Sequence, residues 1–304
     1  MSALLRGIAA LLLVVLAFAG ATAQPAHLRG FATAQAAADA LTDAIRRGDR
    51  AAIDGMLGPG WFDSVLGDAD DHDRLREKFL EAWDKEHKVV VDGDAASVHV
   101  GTTGWVSPIP IVRQAGEWRY DVAAGRREVT ARRIGRDELS VIQTLLAIVD
   151  AQRDYAQLDP MKVGAPVYAR RLLSTPGRKD GLYWETAPGE TESPLGPAVA
   201  TAQSRGQNGN AHGYYGYRFR LLYAQGPDAP GGAHDYLVNG RMIGGFAVIA
   251  WPVVYDDTGV MTFMVNQDGV VYERDLGPDT EAAAAAINRF DPGKGWDKAD
   301  VTPP

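Results

Sequence analysis

Through residues 135–156, GRDELSVIQTLLAIVDAQRDYA, the apolar positions Leu139, Ile142, Leu146, Val149 and Ala156 recur at helical intervals, while Arg136, Asp137, Asp150, Arg153 and Asp154 take other positions. The pattern predicts an amphipathic helix about 30 Å long. Burying its four aliphatic side chains gains roughly 6–12 kcal/mol gross, so the rest of the chain beyond it is expected to wrap that helix. Upstream, residues 31–47 predict a helix with Thr33 as its cap and Ala37, Leu41 and Ile45 on one stripe, ended by Gly48. A short helix is expected from Asp49 to the Gly58-Pro59-Gly60 punctuation. Leu75, Phe79 and Trp83 at i, i+4 and i+8 mark a third, with acidic residues between Asp68 and Asp73 at the end where the helix dipole favours them.

From Lys88 the period falls to two. KVVVD, a Gly93-Asp94 turn and ASVHVG predict a hairpin, and WVSPIPIV and EWRYDV predict two more strands about a turn at Gly116, with Trp118, Tyr120 and Val122 on one face. Pro108 and Pro110 remove ladder donors, so their strand is expected at an edge or with a bulge. After the long helix, GGFAVIAWPVVY predicts a strand, GVMTFMVNQDGVVYERDLG a hairpin turning at Gln267-Asp268-Gly269, and residues 280–290 a last helix. The expected class is α+β in two domains: helices over a curved antiparallel sheet at residues 28–128, then a long helix packed on an antiparallel sheet at 129–296, with Gly135 as the joint and 297–304 as a tail. The element order of the first domain resembles the cone-shaped folds of the nuclear-transport-factor-two type, which host enzymes, binders and structural modules alike.

Residues 1–23 have the form of a secretory leader: Arg6, an apolar run from Ile8 to Ala19, and Ala21-Thr22-Ala23 before Gln24. The apolar run is short for a membrane span, and the mature chain is expected to be soluble, periplasmic or secreted, without a membrane span. With 31 Lys and Arg against 39 Asp and Glu, the formal charge is −8, and loss of the leader's single Arg makes it −9. That balance excludes nucleic acid as a natural partner. The chain has no Cys, and hence no disulfide framework, thiol nucleophile or thiolate metal site.

Catalytic patterns are missing. The histidines (His27, His72, His87, His99, His212, His234) show no i, i+4 pair. The cluster of Asp68, Asp70, Asp71, His72 and Asp73 has neither the Gly nor the final Glu of a calcium loop, since its twelfth position is Phe79. No Ser lies in a Gly-x-Ser-x-Gly elbow, Ser174 reads as a turn residue, and GQNGN and DPGKGWD fit neither phosphate-binding nor dinucleotide-binding patterns. No catalytic residue, metal or cofactor is therefore expected.

A polar and aromatic set remains. RKDGLYW contributes Arg178, Lys179, Asp180, Tyr183 and Trp184; HGYYGYRFR contributes His212, Tyr214, Tyr215 and Arg218; YLVNGR contributes Tyr236, Asn239 and Arg241. Flat rings beside fixed donors suit a groove for a glycan or peptide ligand, or for another envelope protein. The competing reading places these rings in the core or along a sheet edge. Trp184, between the Lys179-Asp180-Gly181 turn and the Pro188-Gly189 loop, is expected to be partly exposed. An envelope hydrolase is the rival function, with Asp180 and Asp235 as the only carboxylate pair to offer it.

RRIGRDELSVIQTLLAIVDAQRDYA, LLSTPGRKDGLYW, SPLGP, HGYYGYRFRLL, QGPDAPGGAHDYLVNGRMIGGFAVIAWP and GVMTFMVNQDGVVYERDLGPDT together resemble the bacterial exported family termed domain of unknown function 2950, a name that implies no activity. The order of AQRDYA, YGYRFRLL, GGFAVIAWP and the last hairpin is also similar to the globular heads of exported pilin-like proteins. That likeness implies a helix across an antiparallel sheet and an assembly role. The chain departs from such heads in having a cleavable leader and an extra domain in front. The reading that emerges is an exported binding or scaffolding module of the cell envelope.

Overall fold

The computed structural model describes residues 28–61, 69–196 and 213–301, with backbone alone at 69–71. The leader, GQNGN, His212 and the side chains of Asp68, Asp70 and Asp71 lie outside that description. The chain divides into two units, Met1–Gly125 and Arg126–Pro304.

In the first unit, α1 (Ala34–Arg47) starts where the Thr33 side chain accepts the Ala36 N–H, and ends at Gly48, whose φ of 65° is the left-handed conformation that a helix C-terminus favours. Asp49 caps α2 (Arg50–Leu57) by accepting the Ala52 N–H. A third helix, α3 (Ala69–Lys85), leads into a sheet of β1 (His87–Asp92), β2 (Ala95–Val100), β3 (Ile111–Gln114) and β4 (Glu117–Tyr120), antiparallel in sequence order. Ala34, Ala37, Ala38, Leu41 and Ala44 are the buried face of α1. Their small side chains let the helix come close to the sheet, and the Tyr120 hydroxyl donates to the Ala37 carbonyl at 3.1 Å.

Two expectations shift here. Residues 105–110 hold only two backbone bonds to β2, and the regular strand begins after Pro110, because neither proline can donate to a ladder. Val122 does not share a face with Trp118 and Tyr120. It opens α4 (Val122–Leu158), since Asp121 accepts the Ala124 N–H and starts a helix there.

This helix is longer than its pattern suggests. It runs through Gly135 without a break, because the roughly 1 kcal/mol that one glycine costs a helix interior is small beside the contribution of flanking Ala, Arg, Glu and Leu. The division between units falls after Gly125, not at Gly135. Gly125 packs close to Ile109, where a Cβ would lie 3.0 Å from Cγ2 and the isoleucine side chain would have to shift slightly.

The second unit is built on a five-stranded antiparallel sheet in the order β13-β12-β11-β10-β5: β5 (Tyr217–Leu222), β10 (Ala247–Pro252), β11 (Met261–Asn266), β12 (Val271–Asp275) and β13 (Asp297–Lys298). Between β5 and β10 lie two small hairpins, β6 (Ala224–Gln225) with β7 (His234–Asp235) and β8 (Leu237–Val238) with β9 (Arg241–Met242). Every residue of β10 is buried, the signature of a central strand covered on both faces. One cover is α5 (Thr280–Ala286), held by Arg220, which donates to the Ala284 and Ile287 carbonyls at the C-terminal end of the helix. β13 turns part of the expected tail into an edge strand.

The buried face of α4 is Val141, Ile142, Leu145, Ile148, Val149, Gln152 and Tyr155, in one core with β5, β10 and β11. Leu139, Leu146 and Ala156 from the expected stripe are only half-buried. In VIQTLLAIV apolar residues occupy nearly every direction around the axis, so the sheet and not the period sets the inward face.

Candidate functional site

Gln152 begins the site. Fully buried, it acts as a surrogate peptide group: its amide nitrogen donates to the Ala169 carbonyl at 3.0 Å and its oxygen accepts the Ala169 N–H at 2.8 Å. This clamps the start of a long irregular segment onto α4. The segment then folds on itself, with Leu182 N–H donating to the Arg171 carbonyl, Tyr183 N–H to Leu172, Ser174 N–H to Tyr183, and Leu195 N–H to Leu182. Ser174 is occupied structurally, its hydroxyl accepting the Gly181 N–H at 3.0 Å. Gly181 is required because a Cβ would stand 2.5 Å from the Leu173 carbonyl carbon.

Asp180 closes the turn, accepting both the Thr175 N–H at 2.7 Å and its hydroxyl at 2.9 Å, with Arg171 at 3.8 Å. Burial works to raise the Asp180 carboxyl, but these partners outweigh it and hold the group below the usual carboxylate range. The Tyr155 hydroxyl donates to the Lys179 carbonyl at 2.6 Å, and burial, then the charges of Asp180 and Asp159, push it up to about 12, so it stays a donor at neutral pH.

These ties shape a cleft of about 830 Å³, within the usual range of ligand pockets. Residues 173–179, Tyr183, Trp184, Glu185 and Glu190 line it, so four of the residues expected to bind, Arg178, Lys179, Tyr183 and Trp184, line one cleft. Trp184 is not partly exposed, as its flanking turns suggest, but 6% exposed. Tyr155 packs edge-on at 6.4 Å between ring centres, and the Lys179 ammonium lies 5.3 Å over the indole, 3.8 Å from Glu190. The indole N–H has no acceptor among the described residues. Arg178 is exposed, and Tyr183 is half-buried, packed against the core.

The other expected residues lie elsewhere. Tyr236 is fully buried, its hydroxyl donating to Gln225 Oε1 at 2.9 Å, and burial raises its pKa well above the ordinary tyrosine range. Asn239 and Gly240 form the two-residue turn between β8 and β9, with φ of 51° and 75°. Arg241 follows on β9, exposed. Arg218 on β5 pairs with Glu281 at 2.5 Å, whose other oxygen accepts the Trp251 N–H. Tyr215 is exposed and packs on Tyr214 at 4.5 Å. Asp235 sits on β7, apart from the residues lining the cleft, and Asp180 lacks the raised pKa of a general acid. Glu185, Glu190 and Tyr155 join the site without a sequence signal, since each enters through the path of the loop. Among the described residues no group of His, Asp and Glu could hold a metal ion, and no helix is long and apolar enough to cross a membrane.

Residues 28–299 match the family model described as protein of unknown function (DUF2950). No match was found among curated proteins or solved structures.

Proposed function

The chain belongs to the DUF2950 family, and we propose that it is an exported, non-enzymatic binding module of the cell envelope whose ligand, a glycan or peptide segment, occupies the cleft beside Trp184. The observation that carries this reading is that exposed Arg178, half-buried Lys179 and Tyr183, and buried Trp184 line one cleft, which is pinned on several sides before any ligand arrives. Pre-set walls spare the ordering cost of binding. Rings supply stacking area, while Arg178 and Lys179 select polar groups. Export is supported by the leader pattern of residues 1–23. The binding reading is favoured over hydrolysis because Asp180 is committed to Thr175 and held ionised.

The test is a thermal-shift titration of the mature protein with peptidoglycan fragments that carry both sugar and peptide, since a ligand of the native state raises the midpoint. Arg178→Ala is expected to keep the unliganded stability within about 0.5 kcal/mol of wild type, Tyr183→Ala to lower it further because its half-buried ring packs on the core, and both to abolish the shift. Shifts that survive both substitutions would remove the cleft as the site.

A further inference from the structure

A second pocket, of about 350 Å³, is lined by Tyr223, Ala224, Asp235, Leu237, Asn288 and Arg289. Its floor is set by strand register. Ala224 on β6 is paired antiparallel with Asp235 on β7. On the other side, Gln225 is bridged in parallel to Phe290, with Phe290 N–H donating to the Ala224 carbonyl and Gly226 N–H to the Phe290 carbonyl. One step back along parallel strands places Arg289 beside Ala224. Asp235, Ala224 and Arg289 thus form one row across three backbones, and strand spacing of about 4.8 Å separates the two outer Cα atoms by roughly 10 Å. Residues in a row share a face, so an anionic and a cationic side chain flank the methyl group of a small residue.

Despite opposite charge, Asp235 and Arg289, both exposed, form no ion pair with each other or with another described residue. The gap between them is held open by a rigid floor. Buried Gln225 donates to the Pro230 and Gly232 carbonyls, both at 2.7 Å, and accepts the Tyr236 hydroxyl, while Tyr236 N–H donates to the Tyr223 carbonyl. The Tyr223 hydroxyl donates to the Arg170 carbonyl at 3.0 Å, which fixes that ring as a wall. Leu237 supplies an apolar surface.

We infer that this pocket binds a free α-amino acid as its zwitterion, with Asp235 taking the ammonium, Arg289 the carboxylate, and Tyr223 and Leu237 the side chain. A simple anion drawn to Arg289 is repelled by Asp235, and a simple cation meets the reverse. A molecule carrying both charges a few ångströms apart satisfies both, with charge-assisted hydrogen bonds at each end. The volume sits at the small end of ligand sites, which suits an amino acid and not a chain of them. This site is independent of the cleft beside Trp184.

The experiment is a nuclear magnetic resonance titration of the mature protein with glycine, L-leucine and L-phenylalanine, alongside N-acetyl-L-leucine and L-leucinamide. Free amino acids are expected to shift the backbone amides of Tyr223, Ala224 and Arg289, and each blocked derivative to bind about tenfold or more weakly, the loss of one charge-assisted contact. Asp235→Asn and Arg289→Gln, both at exposed positions, are expected to weaken leucine binding by a similar factor with an unchanged Tm. The proposal is overturned if none of the three amino acids shifts these amides at concentrations up to about 50 mM, far above any specific Kd. It is equally overturned if the blocked derivatives bind as tightly as leucine. Because the derivatives are tested on the unmodified protein, that comparison stands even if a variant fails to fold.

Discussion

Replacing Trp184 by Ala is expected to cost about 3–5 kcal/mol, through lost transfer free energy and the cavity left between Tyr155 and Lys179. A denaturant midpoint measured at unchanged m-value reads this directly, and a loss near that of a surface site would contradict the packing. Tyr183, the residue before it, is half-buried, so its removal is expected to cost less stability than that of Trp184. Asp180 makes a pH-dependent contribution of definite sign. Its folded pKa lies below the unfolded value of about 3.9, so the stability it adds is fully present above that value and is lost as pH falls through the folded pKa. Asp180→Ala is expected to cost about 1–3 kcal/mol at neutral pH, leaving the Thr175 donors without their acceptor, and that deficit should shrink as pH falls through the folded pKa of Asp180. A deficit that persists unchanged at acid pH would refute the charged contact. The tight turn here is Thr175-Pro176-Gly177-Arg178, closed by the Arg178 N–H on the Thr175 carbonyl with Gly177 at φ 74°, and not the expected Lys179-Asp180-Gly181, so Pro-Gly was the readable signal. Burial of Trp184 was not readable, because it is created by a tyrosine almost thirty positions earlier.

The hairpins and helices respond to local rules that can be tested one at a time. Asn239 holds φ of 51° in the turn between β8 and β9, a conformation that Asn and Gly accept and that costs other residues about 1–2 kcal/mol. Asn239→Gly is therefore expected to leave thermal stability nearly unchanged and Asn239→Ala to lower it. Gln152 makes the opposite kind of contribution, a buried side chain whose two bonds to Ala169 tie the cleft segment to α4. Gln152→Ala is expected to cost about 2–4 kcal/mol, by orphaning a buried N–H and C=O, and to speed amide exchange in residues 169–184. Thr33, Asp49, Gly93, Gly116 and the QDG turn announce their elements in the sequence, because caps and turns depend on a few adjacent residues. The inward face of α4 does not, since its middle is apolar in nearly all directions and several rotations satisfy its period equally well.

Each unit carries its own buried set, so a fragment beginning at Val122 is expected to unfold cooperatively in calorimetry, retaining the capped sheet of β5 and β10–β13. A broad, non-cooperative transition would show that the second unit needs the first. Mass spectrometry of exported material is expected to find Gln24 at the N-terminus; retention of residues 1–23 would contradict the leader reading. Period, punctuation and composition were enough to establish an α+β chain with helices and a sheet before a long helix and a second sheet, and to exclude thiol chemistry, because those properties are local or additive. Which rings face a cleft, which side of the long helix turns inward, and the row of Asp235, Ala224 and Arg289 were decided only by tertiary structure. Each depends on strands and loops far apart in the chain meeting in one register, and the free energy of that meeting belongs to pairs of segments and cannot be read from either one alone.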